Sequence, residues 1–95
     1  MKRFLMISLG LALALQATAQ ADVTFAYNAN KQGDFPKAAE YIEKALNDPK
    51  AVTKEKTWRY RGDIYLSIAG SPDLTAGYPN AVTLCMESYF KSMEI

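Results

Sequence analysis

Two stretches decide the fold. One is Lys31-Gln32-Gly33-Asp34-Phe35, followed by Ala38, Ile42, Ala45 and Leu46. The other is Trp58-Arg59-Tyr60-Arg61-Gly62-Asp63-Ile64-Tyr65, followed by Tyr78-Pro79, Ala81 and Cys85. Ala38, Ile42, Ala45 and Leu46 fall at i, i+4, i+7 and i+8, the stripe of an amphipathic helix. Trp58, Gly62 and Tyr65 fall at i, i+4 and i+7, with Ile64 and Ile68 in a second apolar row. Together they predict two helical hairpins, each with an apolar face that needs a neighbour to cover it.

Outward from these stretches, residues 22–32 carry Val23, Phe25, Ala26 and Ala29 at helical spacing and make a first helix. Gly33-Asp34 stops it. Pro36 then sits where a first helical turn tolerates proline, with Asp34 as the cap. The second helix is expected over 37–47, with Glu40 and Lys44 as an i, i+4 pair on its wet side. Asp48-Pro49 ends it, because the residue before a proline leaves the helical region. The third helix is expected over 51–69, with Thr53 as its cap. Gly62 inside it costs about 1 kcal/mol against alanine, the mark of a place where another helix comes close. Gly70-Ser71-Pro72-Asp73 and Gly77-Tyr78-Pro79 bracket an extended loop, read either as a contact loop or as a tolerated insertion. Pro79 opens a fourth helix with Ala81, Val82, Cys85, Tyr89, Phe90 and Met93 on its apolar side.

No segment shows strand alternation, so the expected fold class is all-α. Ala26, Ala38, Gly62 and Ala81 mark the helix crossings, and Phe35, Trp58, Tyr65 and Tyr78 fill the gaps between them. Loss of such a ring, as in Trp58→Ala or Tyr65→Ala, is expected to cost on the order of 3 kcal/mol or more.

Lys2 and Arg3, an apolar run from Phe4 to Leu15, and the small residues Ala17 to Ala21 have the order of a secretory signal peptide. Cleavage after Ala19 or after Ala21 fits equally. The apolar run is shorter than the roughly 20 residues a spanning helix needs, so residues 1–21 are read as a removed signal with no stable membrane span left behind. Residues 22–95 then form the folded domain, slightly acidic once Lys2 and Arg3 are gone. That balance lacks the basic face of a nucleic-acid binder. The chain has one cysteine and no histidine. An internal disulfide is impossible, and histidine-dependent catalysis is excluded. Cys85 is read as a buried small hydrophobe. Glu40 and Glu43 are read as solvated charges on an outer helix face. No catalytic residue, metal site or cofactor is expected.

In order and spacing these residues resemble the tetratricopeptide repeat family, whose pattern is W-x2-L-G-x2-Y, then A-x3-F, then P. Gly33, Phe35, Ala38 and Ala45 match the second half of one repeat, and Trp58, Gly62, Tyr65 and Ala81 belong to the next. Aligning Ala26 with Gly62 sets the two first helices about 36 residues apart, near the family period of about 34. The resemblance implies about two helical-hairpin repeats that begin a right-handed α-solenoid. Arg61 stands where the family prefers leucine and is expected to be less buried. Asp22 and Ala29 stand where bulkier apolar residues are usual, which makes the first helix the less secure one.

By the same resemblance the first helix of each repeat lines a concave groove. The implied binding residues are Tyr27, Asn30 and Lys31 from one repeat and Arg59, Tyr60 and Asp63 from the next, a set suited to an extended peptide; an ordinary solvated face is the competing reading. Val23 and Tyr27 occupy the positions where some members clamp a C-terminal carboxylate, so that role is not implied. Helical arrays generally need at least three repeats and a polar cap. Two repeats leave Val82, Cys85 and Tyr89 partly exposed, a face for further repeats or for self-association through the last helix. The function expected is a non-catalytic protein-interaction scaffold in the periplasm of the bacterial cell envelope, with a protein or peptide as partner. The alternatives are a structural oligomerising subunit and an accessory domain of a longer exported enzyme.

Overall fold

The structure, a computed structural model, describes residues 20–95, and every regular element among them is helical. The signal-peptide reading, except for its last two residues, lies outside the described residues. Helix α1 occupies residues 20–31. Gly33 follows it at φ +85°, the one positive φ among the described residues. There the Asp34 amide reaches back to the Ala29 carbonyl at 2.9 Å. A left-handed residue lets the chain satisfy the last carbonyls of a helix while reversing, and only glycine takes it without strain.

Helix α2 spans Phe35–Ala45, two residues earlier at each end than the spacing predicted. The carboxylate of Asp34 accepts the Lys37 amide at 3.3 Å, and Pro36 sits in the first turn, as expected. Ala38, Ala39, Ile42 and Ala45 are buried. The anticipated Glu40–Lys44 pair does not close; Glu40 lies 3.9 Å from Lys37 instead.

The third expected helix is divided. Ala51–Thr53 form one 3-10 turn, Lys54 is extended, and α3 runs over Glu55–Ala69. Thr53 does not cap α3, because its hydroxyl donates to the Lys50 carbonyl at 2.7 Å. The expected extended loop contains a single-turn helix, α4, Pro72–Thr75. Helix α5 is Ala81–Glu94, beginning after Asn80 rather than at Pro79.

Helix α3 packs on both α2 and α5, and α1 meets α2 where the Phe25 and Tyr41 rings lie 5.4 Å apart. The core joins Ala26, Ala29, Ala38, Ala39, Ile42, Ile64, Tyr65, Ile68, Ala81 and Cys85. Phe35 and Tyr78 pack on its edge. Gly62 meets Tyr89 so closely that a Cβ there would lie 2.6 Å from the ring. Among the described residues no helix is long and apolar enough to cross a membrane.

Three packing expectations are corrected. Trp58 is only half-buried and stands apart from the core. Its indole N–H donates to the Val52 carbonyl at 2.9 Å, fastening the 3-10 turn to α3. Cys85 is buried and Tyr89 half-buried, whereas Val82, Phe90 and Met93 are exposed. The inward face of α5 is Ala81, Cys85, Ser88 and Ser92, rotated from the predicted one. Arg61 is buried, at 7% exposure.

Candidate functional site

Helices α1 and α3 lie side by side, and their facing residues form one shallow surface. Tyr27 and Tyr60 stack across the seam, ring centres 4.8 Å apart and tilted by 36°. Lys31, one turn after Tyr27, holds its ammonium 4.9 Å from the centre of that ring. The Tyr27 phenol raises the Lys31 pKa above its ordinary value, so the side chain stays cationic. Among the described residues no carboxylate lies within ion-pair distance of it.

Beneath this pair is a concavity of about 30 Å³ lined by Tyr27, Asn30, Lys31, Tyr60, Asp63 and Ile64. The structure thus brings together five of the six residues expected at the groove. Arg59 does not line it. Its guanidinium pairs with Glu55 one turn earlier at 2.9 Å and lies 5.3 Å from the Tyr60 ring. Ile64 supplies an apolar floor that the expected set lacked; its place in the second apolar row of α3 was the signal for it. Asn30 Oδ1 is buried there without a hydrogen-bond partner. Asp63 accepts a hydrogen bond from the Tyr89 hydroxyl, so α5 fixes the carboxylate that borders the groove.

On the other side of α3 a polar cluster crosses three helices. Arg61 donates from Nε to Glu43 on α2 at 2.8 Å and from Nη1 to the Ser88 hydroxyl on α5 at 3.0 Å. Glu87 stands 3.7 Å from the same Nη1. The Tyr65 hydroxyl donates to the same Glu43 oxygen at 2.8 Å. Burial first, and this hydrogen bond second, push the Tyr65 phenol well above its usual pKa. Glu43 is therefore not a free charge on an outer face, and Arg61 is not a loosely packed substitute for leucine. Its guanidinium also lies 5.3 Å from the Tyr65 ring and 5.6 Å from that of Trp58. Buried charge is tolerated when it is paired and its donors are used. Every group in this cluster is engaged with another, which makes it a clamp between helices.

A second cleft, about 290 Å³, lies between α1 and the 3-10 turn, with Lys50, Lys54, Lys56 and Asp48 on its wall. Among the described residues no three His, Cys, Asp or Glu side chains gather as a metal site would need. Compared with family models, curated proteins and solved structures, the chain has no match.

Proposed function

We propose that this chain is a tetratricopeptide-like scaffold, exported to the bacterial cell envelope, that holds an extended protein segment in the groove between α1 and α3. The observation that carries the reading is the stacked Tyr27–Tyr60 pair beside a cationic Lys31 that has no acidic partner among the described residues. Paired aromatic faces give contact area at low entropic cost, and a free ammonium offers charge-assisted hydrogen bonds to an acidic side chain. Two further features support a repeat-like array: the succession of helices joined by short turns, and the small residues Ala26, Ala38 and Ala81 in the core between them. Support for export comes from the order of residues 1–21 alone.

Selection of a random-peptide display library on residues 22–95 tests the groove. Enriched peptides should be extended and acidic, and titration against Tyr60→Ala and Lys31→Glu should weaken them at least tenfold. Peptides that bind both variants as tightly as the parent would overturn the reading, as would failure of any peptide to enrich. N-terminal sequencing of the protein recovered from a periplasmic fraction should begin at Gln20 or Asp22.

A further inference from the structure

Positive charge is unevenly matched across the described residues. Lys37, Arg59 and Arg61 are paired with carboxylates, and Lys31 and Lys91 lie over aromatic rings. Lys44, Lys50, Lys54 and Lys56 have neither kind of partner among the described residues. Of these, Lys50, Lys54 and Lys56 line one concavity, the cleft of about 290 Å³ between α1 and the segment leading into α3. Asp48 is the single carboxylate on its wall, and one of its oxygens already accepts the Lys50 amide at 2.7 Å. Helix α1 contributes Gln20, Val23 and Thr24, which carry no charge. The residues before Asp22 include no aspartate or glutamate, so that part of the chain brings no counter-charge either. Like charges gathered on a concave wall repel one another and focus their field into the cleft, where an anion relieves the repulsion.

We infer that this cleft binds a small soluble phosphomonoester. Three lysines against one aspartate leave the wall with two positive charges in excess. A phosphomonoester carries about −1.5 to −2 charges at pH 7 and three strong acceptor oxygens, which matches that excess. A carboxylate or a phosphodiester brings a single charge and leaves half of it uncompensated. Each ammonium is a point charge with three rotatable donors, suited to phosphate oxygens approaching from several directions. The volume lies at the small end of ligand pockets, which favours a phosphorylated compound of a few carbons over a polymer. The exposed residues of the wall are Gln20, Thr24 and the three lysines. They offer no apolar rim to seat an acyl chain, so a soluble compound fits better than a phospholipid headgroup. The cleft shares no lining residue with the α1–α3 groove, and the inference does not depend on what that groove binds.

Titration of the isotope-labelled chain with glycerol 3-phosphate, followed by amide NMR, should give saturable shifts centred on Thr24, Lys50, Lys54 and Lys56. Dimethyl phosphate, a singly charged diester, should bind the same protein at least tenfold more weakly. Replacing Lys54→Ala together with Lys56→Ala should weaken glycerol 3-phosphate at least tenfold. Lys44→Ala removes a lysine that is equally without a partner but lies outside the cleft, and should leave the affinity unchanged. Amide spectra of the variants that superpose on the parent's away from the substitutions show that a lost site is not a lost fold. Absence of saturable shifts would overturn the inference, as would a diester that binds as tightly as the monoester. So would a loss from Lys44→Ala equal to that of the double variant, or binding to phosphatidic acid vesicles without binding of glycerol 3-phosphate.

Discussion

Gly62 shows how much a single position can decide. A glycine inside a helix is a loss of about 1 kcal/mol against alanine, yet here the missing Cβ makes room for the Tyr89 ring. That ring cannot swing aside freely, because its hydroxyl is held by Asp63. Gly62→Ala is therefore expected to destabilise the protein by about 1–3 kcal/mol, overpacking outweighing the better helix propensity. Denaturant unfolding measures it. Combining Gly62→Ala with Tyr89→Leu should recover part of the loss, and a stabilised single variant would show that the close approach is not real. Arg61 is the opposite case, a residue whose type predicted exposure and whose partners produced burial. Those partners are 18 and 27 residues away in the chain, beyond any local pattern.

Between elements, the same arginine is the link. It joins α2 and α5 to α3, and Tyr65 doubles the attachment to α2 through a shared carboxylate. Removing one partner of a buried pair typically costs about 3–5 kcal/mol, whereas replacing the whole pair by apolar residues of similar volume is often near neutral. Because Glu43 can turn to solvent, Arg61→Ala is expected near the lower end of that range, about 3 kcal/mol, and Arg61→Leu at a smaller loss, since it keeps an apolar contact with the Tyr65 and Trp58 rings. Comparing the two variants with Glu43→Gln in urea unfolding separates the charge from the packing. Equal losses for the leucine and alanine variants would assign the stability to the ion pair alone. Trp58, by contrast, ties down a turn. Its removal should cost less than that of Tyr65, which the spacing of the two rings in sequence could not distinguish.

At the scale of the whole molecule, these hydrogen bonds make stability depend on alkaline pH. Burial first, then hydrogen bonds to Glu43 and Asp63, raise the phenols of Tyr65 and Tyr89 above the ordinary value. Burial and the nearby Asp63 charge raise the Cys85 thiol in the same sense. In each case the folded chain keeps a proton that the unfolded chain gives up sooner. The contribution is fully present below the unfolded values, about 8.5 for cysteine and about 10 for tyrosine. It declines as pH rises above them and is gone once the folded values are passed. The urea midpoint should hold steady to about pH 8 and fall steadily above pH 10. The fall should be shallower in the Tyr65→Phe, Tyr89→Phe variant; an unchanged slope would mean that those phenols are not held by their carboxylates.

The sequence by itself determined that the described chain is helical, where α2 is capped, that Gly33 reverses the backbone, and which small residues sit at crossings. All of these follow from propensity, periodicity and turn chemistry acting within a few residues. The groove residues Tyr27, Asn30, Lys31, Tyr60 and Asp63 came instead from the repeat resemblance, carried over by register, and they line one concavity in the structure. Only the tertiary structure decided the break at Lys54, the rotation of α5 and the burial of Arg61. The rotation explains why the exposed ridge is Val82, Met86, Phe90 and Met93 rather than the face the apolar spacing implied. An amphipathic helix with two apolar arcs can bury either one. The choice falls to whatever partners lie across the chain, here a glycine that admits a tyrosine ring and a guanidinium that demands a serine and two carboxylates.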